Sequence, residues 1–272
     1  MSAHDRLGEA IAATIPHDAS VSAQSTLAPH ISHRLAIYQF PSDVKNADYV
    51  FLDVGAGDYY PFTSPACYVS AVLSALYSGD YQIATANDGY LLLRRDPGKG
   101  IPRMPASFYS FAYASSLAGV RQVDARFAGG LELVGYQVNP PQVSVTEPEL
   151  TVTTYWRVSA PLTAPQTVVV TLTRPGGRGR QVFDDSLTQE WLPPLQWQPG
   201  QIIMTQTWPI NLDPSVVGNY TLGVEVRNGA PDQHPPTSQA VATTVLTPPG
   251  AGGLPVVNHN GLGVLLALVP LQ

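Results

Sequence analysis

The chain has 272 residues, room for two domains that each bury a core of their own. Charged residues at 12% and hydrophobic ones at 44% exclude a disordered chain, and no run of about 18 uncharged apolar residues is present to span a bilayer. Fourteen Lys plus Arg against twenty Asp plus Glu give a net charge of -6, which argues against a non-specific binder of phosphate backbones, so nucleic acid is not expected as a partner.

Only 6 of the 26 prolines and 7 of the 23 glycines fall in residues 1–100, so the composition changes near residue 100. The first part reads as a small α/β domain, residues 1–97. A helix is predicted over 2–14, with Leu7, Ala10, Ile11 and Thr14 at helical spacing and Pro16 as its stop. A short strand over 19–23, a short helix over 26–32 and a strand over 35–40 follow. Residues 48–54, DYVFLDV, form a nearly continuous apolar run of the kind found where a strand is covered on both faces. Pro65 opens an amphipathic helix carrying Tyr68, Val69, Val72, Leu73, Leu76 and Tyr77, which Gly79 ends. Strands over 81–85 and 90–94 make a hairpin around Asn87-Asp88-Gly89.

Residues 98–127 lack a sustained period but are rich in rings, and they read as a linker docked through Phe108, Tyr109, Phe111 and Tyr113. Residues 128–272 read as a β-sandwich, with strands over 131–138, 150–158, 167–173, 181–183, 202–210, 220–227, 240–246 and 263–269. In TVTTYWRV one face carries Val152, Thr154 and Trp156, which makes Trp156 the expected core tryptophan. The fold class is therefore α/β followed by all-β, the second part an immunoglobulin-like sandwich.

Few motifs carry chemistry. FLDVGAGDYY, residues 51–60, has the strand-Asp-x-Gly-x-Gly start of a methyltransferase cofactor site, but no third glycine opens a helix after it, and a turn leaving the central strand is the simpler reading. His30 and His33 are half of a metal site; a third ligand would have to come from His17, Asp53 or another distant carboxylate, and no metal is expected. Arg34 is expected to pair with Asp48 or Asp53. There is no Gly-x-Ser-x-Gly elbow and no Walker loop; Cys67, the one cysteine, cannot form an internal disulfide and is expected as a small hydrophobe opening a helix. Asp184 with Asp185, and Glu147 with Glu149, are acidic pairs in loops, read as solvated. Trp191 and Trp197 in WLPPLQWQPGQ are the candidate glycan-stacking residues, although a Trp-x-Pro-Gly corner more often plugs the end of a sandwich. Neither catalytic residues nor cofactors are expected.

The strings IPHDASVSAQSTLAPHISHRLAIYQFP, ADYVFLDV and YQIATANDGYLLLRRD together resemble the soluble C-terminal part of domain of unknown function 2079, a family of predicted bacterial and archaeal polytopic membrane proteins. The resemblance covers residues 7–96 and centres on Pro-His-x-Ser-His-Arg and Asp-Gly-Tyr-x-Leu-Leu-x-Arg. The family's membrane portion is similar to lipid-linked-sugar glycosyltransferases, whose catalytic acid lies between membrane helices. The resemblance thus implies a non-catalytic tail. LELVGYQV, YWRV, the W-x-PG turn and GNYTLGVEV resemble a β-sandwich module appended to such proteins.

From this follows the expectation of a non-catalytic, extracytoplasmic-type module that docks to a membrane-embedded partner, or to a membrane region missing upstream of Met1, and that binds glycan or a protein. His30, His33, Arg34 and Asp53 are its candidate docking or binding residues. With no basic, apolar leader at residues 1–15, the chain as written would stay in the cytoplasm unless its start lies further upstream. The alternatives are a free carbohydrate-binding sandwich and a methyltransferase-like enzyme.

Overall fold

The computed structural model describes residues 1–177, 179–184, 186–229, 243–245, 256–257 and 263–272. They form two compact units, Met1–Phe111 and Ala112–Gln272.

In the first unit, helix α1 (Ala3–Ala12) starts at the N-cap Ser2, whose hydroxyl accepts from the Asp5 N–H while the Asp5 carboxylate accepts from the Ser2 N–H, a reciprocal capping box. Strands β1 (Val21–Ala23), β2 (Ile37–Gln39) and β3 (Tyr49–Asp53) are parallel, with β1 in the middle. Helix α2 (Pro65–Tyr77) is opened by Ser64, whose hydroxyl accepts from Cys67 N–H, and by Pro65 at its first turn, where a missing N–H costs nothing. Strands β4 (Tyr81–Asn87) and β5 (Tyr90–Arg95) form the hairpin, and the finished sheet has the order β2-β1-β3-β5-β4, with β5 antiparallel to β3. Asp88 and Gly89 both hold positive φ at the hairpin tip.

Both faces of this sheet are covered, as the apolar run in β3 predicts. Phe51 and Leu92 join Ile11, Ala12, Ile15, Val21, Leu27 and Ile31 in one core cluster, while the alternating residues Val50, Leu52, Leu91 and Leu93 are also fully buried. The α2 stripe of Tyr68, Val69, Val72, Ala75 and Leu76 is buried as well.

The unit runs further than its predicted end. A 3-10 segment, Ala106–Ala112, lays Phe108 fully into the first unit's core, where Asp88 N–H donates to Ser107 C=O and Gly89 N–H to Phe108 C=O. Residues 121–127, read from sequence as the end of a linker, are instead strand β6 (Arg121–Phe127), with Val123, Ala125 and Phe127 buried and Arg121, Gln122 and Arg126 exposed.

The second unit continues with β7 (Leu131–Asn139), β8 (Glu149–Val158), β9 (Gln166–Thr173), β10 (Arg180–Phe183), the short helix α3 (Leu187–Trp191), β11 (Ile202–Gln206), β12 (Ile210–Asn211), β13 (Gly218–Asn228), β14 (Thr243–Val245), β15 (Val256–Val257) and β16 (Gly263–Leu271). They make two sheets, β10-β9-β13-β16-β15 and β11-β8-β7-β6-β14, a β-sandwich following the α/β unit. The predicted strand over 202–210 is broken in two, because the segment between β11 and β12 carries Pro209, which has no N–H for a ladder. Only residues 243–245 of the predicted 240–246 strand lie within the described residues. Trp156 is fully buried on β8, its indole N–H donating to Thr154 Oγ1 at 2.7 Å, and Thr154 is hydrogen-bonded in turn to Thr205. Tyr136 on β7 donates its hydroxyl to Leu266 C=O on β16, a 2.7 Å bond between the sheets.

Candidate functional site

In an open sheet with parallel strands, ligands settle outside the carboxyl ends of two neighbouring strands whose connections leave in opposite directions. Here that point lies between β1 and β3. From β1 the chain crosses to β2 on one side, and from β3 it proceeds to the hairpin on the other. A cavity of about 380 Å³ sits there, bounded by Thr26 and Leu27 after β1, Asp53 and Ala56 at the end of β3, Tyr90 on β5, and His4, Gly8 and Glu9 on α1.

Its polar groups are tied to one another. Asp53, the last residue of β3, is buried; Oδ1 accepts from Gly55 N–H at 3.1 Å and Oδ2 faces His4 Nε2 at 2.9 Å. The other ring nitrogen, His4 Nδ1, faces Asp88 Oδ2 at 2.8 Å, and Asp88 Oδ1 accepts from the Ser110 hydroxyl. The imidazole lies 4.4 Å from the Tyr90 ring, nearly parallel to it. A second layer supports the first: Gln24, buried after β1, accepts from Asp53 N–H and Tyr68 Oη through Oε1, and donates from Nε2 to Asp58 C=O.

The hydrogen bond to Asp53, aided by Asp88, outweighs burial and lifts the His4 pKa from 6.5 to about 9, so at neutral pH the ring is a cation donating from both nitrogens. A cation in the first turn of a helix opposes the helix dipole, which makes the two carboxylates necessary to this placement. Burial pushes the Tyr90 phenol well above its ordinary range, and the neighbouring Asp53 charge adds to this.

This arrangement explains Gly55 of FLDVGAGDYY by close packing, and Gly57 holds a positive φ of 75°. A Cβ on Gly89 would stand 3.0 Å from Gly55 N, and one on Gly55 would meet the Phe111 ring at 3.5 Å; the bare backbones let the hairpin tip and residues 106–111 close over the end of β3. The helix that follows starts only at Pro65, so no glycine-opened helix N-terminus faces this turn.

Of the four predicted docking residues, Asp53 and His30 line the cavity just described. His30 also lines a second cavity of about 440 Å³ with His33, Arg34, Glu9 and His17, so the structure brings His30 near both sets. Arg34 does not pair with Asp48 or Asp53 as expected: its Nη2 donates to Ile15 C=O at 2.5 Å, Asp53 is taken by His4, and Asp48 accepts from Ser20. Among the described residues, no group of three His, Cys, Asp or Glu side chains is arranged to hold a metal ion.

Trp191 and Trp197 offer no stacking platform. They are 8% and 1% exposed, and the Trp197 indole N–H donates to Leu192 C=O at 2.8 Å, so the W-x-PG corner closes the core. Cys67 is exposed, not packed as a small hydrophobe, because it lies off the buried stripe of α2. Glu147 and Glu149 are exposed, and Asp185 lies outside the described residues.

Sequence reading missed His4, Asp88 and Gln24. Two signals were present: Asp53 and Gln24 each stand at the carboxyl end of a parallel strand, and Asp88 is in the hairpin tip beside that end. Nothing local marks His4, which meets Asp88 across 84 positions.

Residues 1–92 match the family described as "Predicted membrane protein (DUF2079)". No curated protein matches the chain. Among the described residues no helix is long and apolar enough to cross a membrane.

Proposed function

We propose that this chain is a non-catalytic, extracytoplasmic-type module of a glycosyltransferase-like membrane system, docking to a membrane-embedded partner through the face of the α/β unit that carries His30, His33 and Arg34. The observation that carries this reading is the match of residues 1–92 to a family of predicted membrane proteins, which falls on the α/β unit alone. The closed state of the polar cluster supports a non-catalytic role. Both ring nitrogens of His4 are engaged, and Asp53 is spent on His4 and Gly55, so this cluster holds loops together, while His30 and Glu9 on the same cavity stay outside it. The sandwich is then an immunoglobulin-like module carried by the same system. Burial of Trp191 and Trp197 removes the surface on which a free carbohydrate-binding protein would rest.

The test is photo-crosslinking in cells that make the chain, from a benzophenone amino acid at position 33, with the same probe at Val182 on the sandwich as control. The reading predicts adducts from position 33 with a polytopic membrane protein. Adducts with soluble proteins alone, or equal membrane adducts from both positions, would contradict it.

A further inference from the structure

The cavity beside Glu9 has a different chemistry from the one at the end of the sheet. Its walls are Ala12, Ala13, Ile15 and Ile31, and its polar rim carries three imidazoles, His17, His30 and His33, with the Arg34 guanidinium. They come from separate stretches: the loop after α1, the 3-10 turn Ala28–Ile31, and the residues that follow it. The single carboxylate on the lining, Glu9 of α1, stands 3.8 Å from His30 Nδ1, beyond hydrogen-bond range. Five N–H donors belong to a guanidinium; in Arg34 one Nη2 N–H is spent on Ile15 C=O, while Nε is buried with no hydrogen-bond partner.

A guanidinium cannot ligate a metal and repels one, so three imidazoles beside Arg34 are a poor cation site. The same four groups are an excellent donor set for a tetrahedral oxyanion: a planar guanidinium fork and three imidazoles on the lining of one cavity. We infer that the cavity lined by His17, His30, His33 and Arg34 binds a phosphoryl group, as a phosphate or pyrophosphate. Glu9 is the one opposing charge on the lining. The site gives the proposed docking face a chemistry, yet it stands on the cavity alone: phosphate binding by the isolated chain reads the cavity, and crosslinking in cells reads docking.

The test is calorimetric titration of the full chain with pyrophosphate and with inorganic phosphate, for the parent and for His33→Gln, His17→Gln and Arg34→Gln. Because Arg34 braces Ile15, the two exposed histidine variants keep the test independent of folding. Expected are binding of pyrophosphate by the parent and a loss of at least fivefold in each histidine variant. Flotation with vesicles of phosphatidylcholine, with and without phosphatidic acid, finds the source of the phosphate. Flotation only with phosphatidic acid, released by pyrophosphate, assigns a lipid phosphate; pyrophosphate binding without flotation assigns a soluble one. Failure of both to bind at millimolar concentration, or binding unchanged by all three substitutions, would overturn the inference.

Discussion

The two units spend buried polar groups in opposite ways. In the α/β unit they gather at one end of the sheet: Gln24, Asp53, His4 and Asp88 join α1, the end of β3 and the hairpin tip through bonds that span 29 to 84 positions. In the sandwich they are scattered. Thr154 with Thr205 braces Trp156, Gln189 accepts from Val168 N–H and donates to its C=O, and the buried Glu225 on β13 sits between Arg180 and Arg227. A scattered set stabilises whichever strands it touches, whereas a gathered set makes one end of a domain rigid and dependent on a single cationic ring.

The comparison also fixes how each unit is to be read. All four tryptophans, Trp156, Trp191, Trp197 and Trp208, are in the second unit, so indole fluorescence follows the sandwich, while residue-resolved hydrogen exchange follows the first. The largest expected effect is in the sandwich: Trp156→Ala removes a fully buried indole and its hydrogen bond to Thr154, costing about 3–5 kcal/mol in denaturant unfolding followed by the remaining tryptophans. A cost below about 1 kcal/mol would mean that Trp156 does not organise that core.

Next is Asp53→Asn. It keeps the shape but sets an amide N–H against His4 Nε2, and about 2 kcal/mol should be lost in the first unit while the tryptophan signal of the second stays unchanged. If the tryptophan transition moved as far as that of the first unit, the cluster would not be confined to one unit. Gly8→Ala should cost about 1–3 kcal/mol in that same unit, since the new Cβ would stand 2.5 Å from Tyr90 Oη, and the Tyr90 ring is held against His4. Because that Cβ would also stand 2.6 Å from Tyr90 Cζ, recovery is expected in Gly8→Ala with Tyr90→Leu and not with Tyr90→Phe, which identifies the ring as the obstacle.

The smallest effect is a pH dependence. His4 is a cation when folded up to a pKa of about 9 and an ordinary imidazole of 6.5 when unfolded, so its contribution is complete below 6.5 and disappears as the pH rises through 9. Its side chain is 30% exposed, and solvent screening reduces the gain to about 1 kcal/mol. Unfolding of the first unit at pH 6, 7.5 and 9.5 should show that decline, and His4→Gln should flatten it.

Local periodicity revealed most of the framework. The apolar run of β3, the 3-4-7 stripe of α2 and the Asn-Asp-Gly hairpin each have causes within ten or so residues of chain, and these elements stand where the pattern puts them. Strand β6 did have a legible alternation, Val123, Ala125 and Phe127 between polar residues, but it follows a Pro- and Gly-rich stretch and carries two arginines, which disguised it as linker. Helix α3 has five residues, too few for a period. The site divides along the same line. His30, His33 and Arg34 are neighbours in sequence and neighbours on one cavity, whereas the bond from His4 to Asp88 exists only once β3 and β5 are paired.

The central claim is that a doubly bonded His4 cation locks the end of the sheet, leaving no free base within the His4, Asp53 and Asp88 cluster. The direct measurement is an NMR titration of the His4 imidazole in chain labelled with 15N at histidine. A ring protonated on both nitrogens at pH 7, with a midpoint near 9, is the predicted result. A midpoint near 6.5, with one nitrogen bare at pH 7, would contradict it and return His4 to the list of available bases.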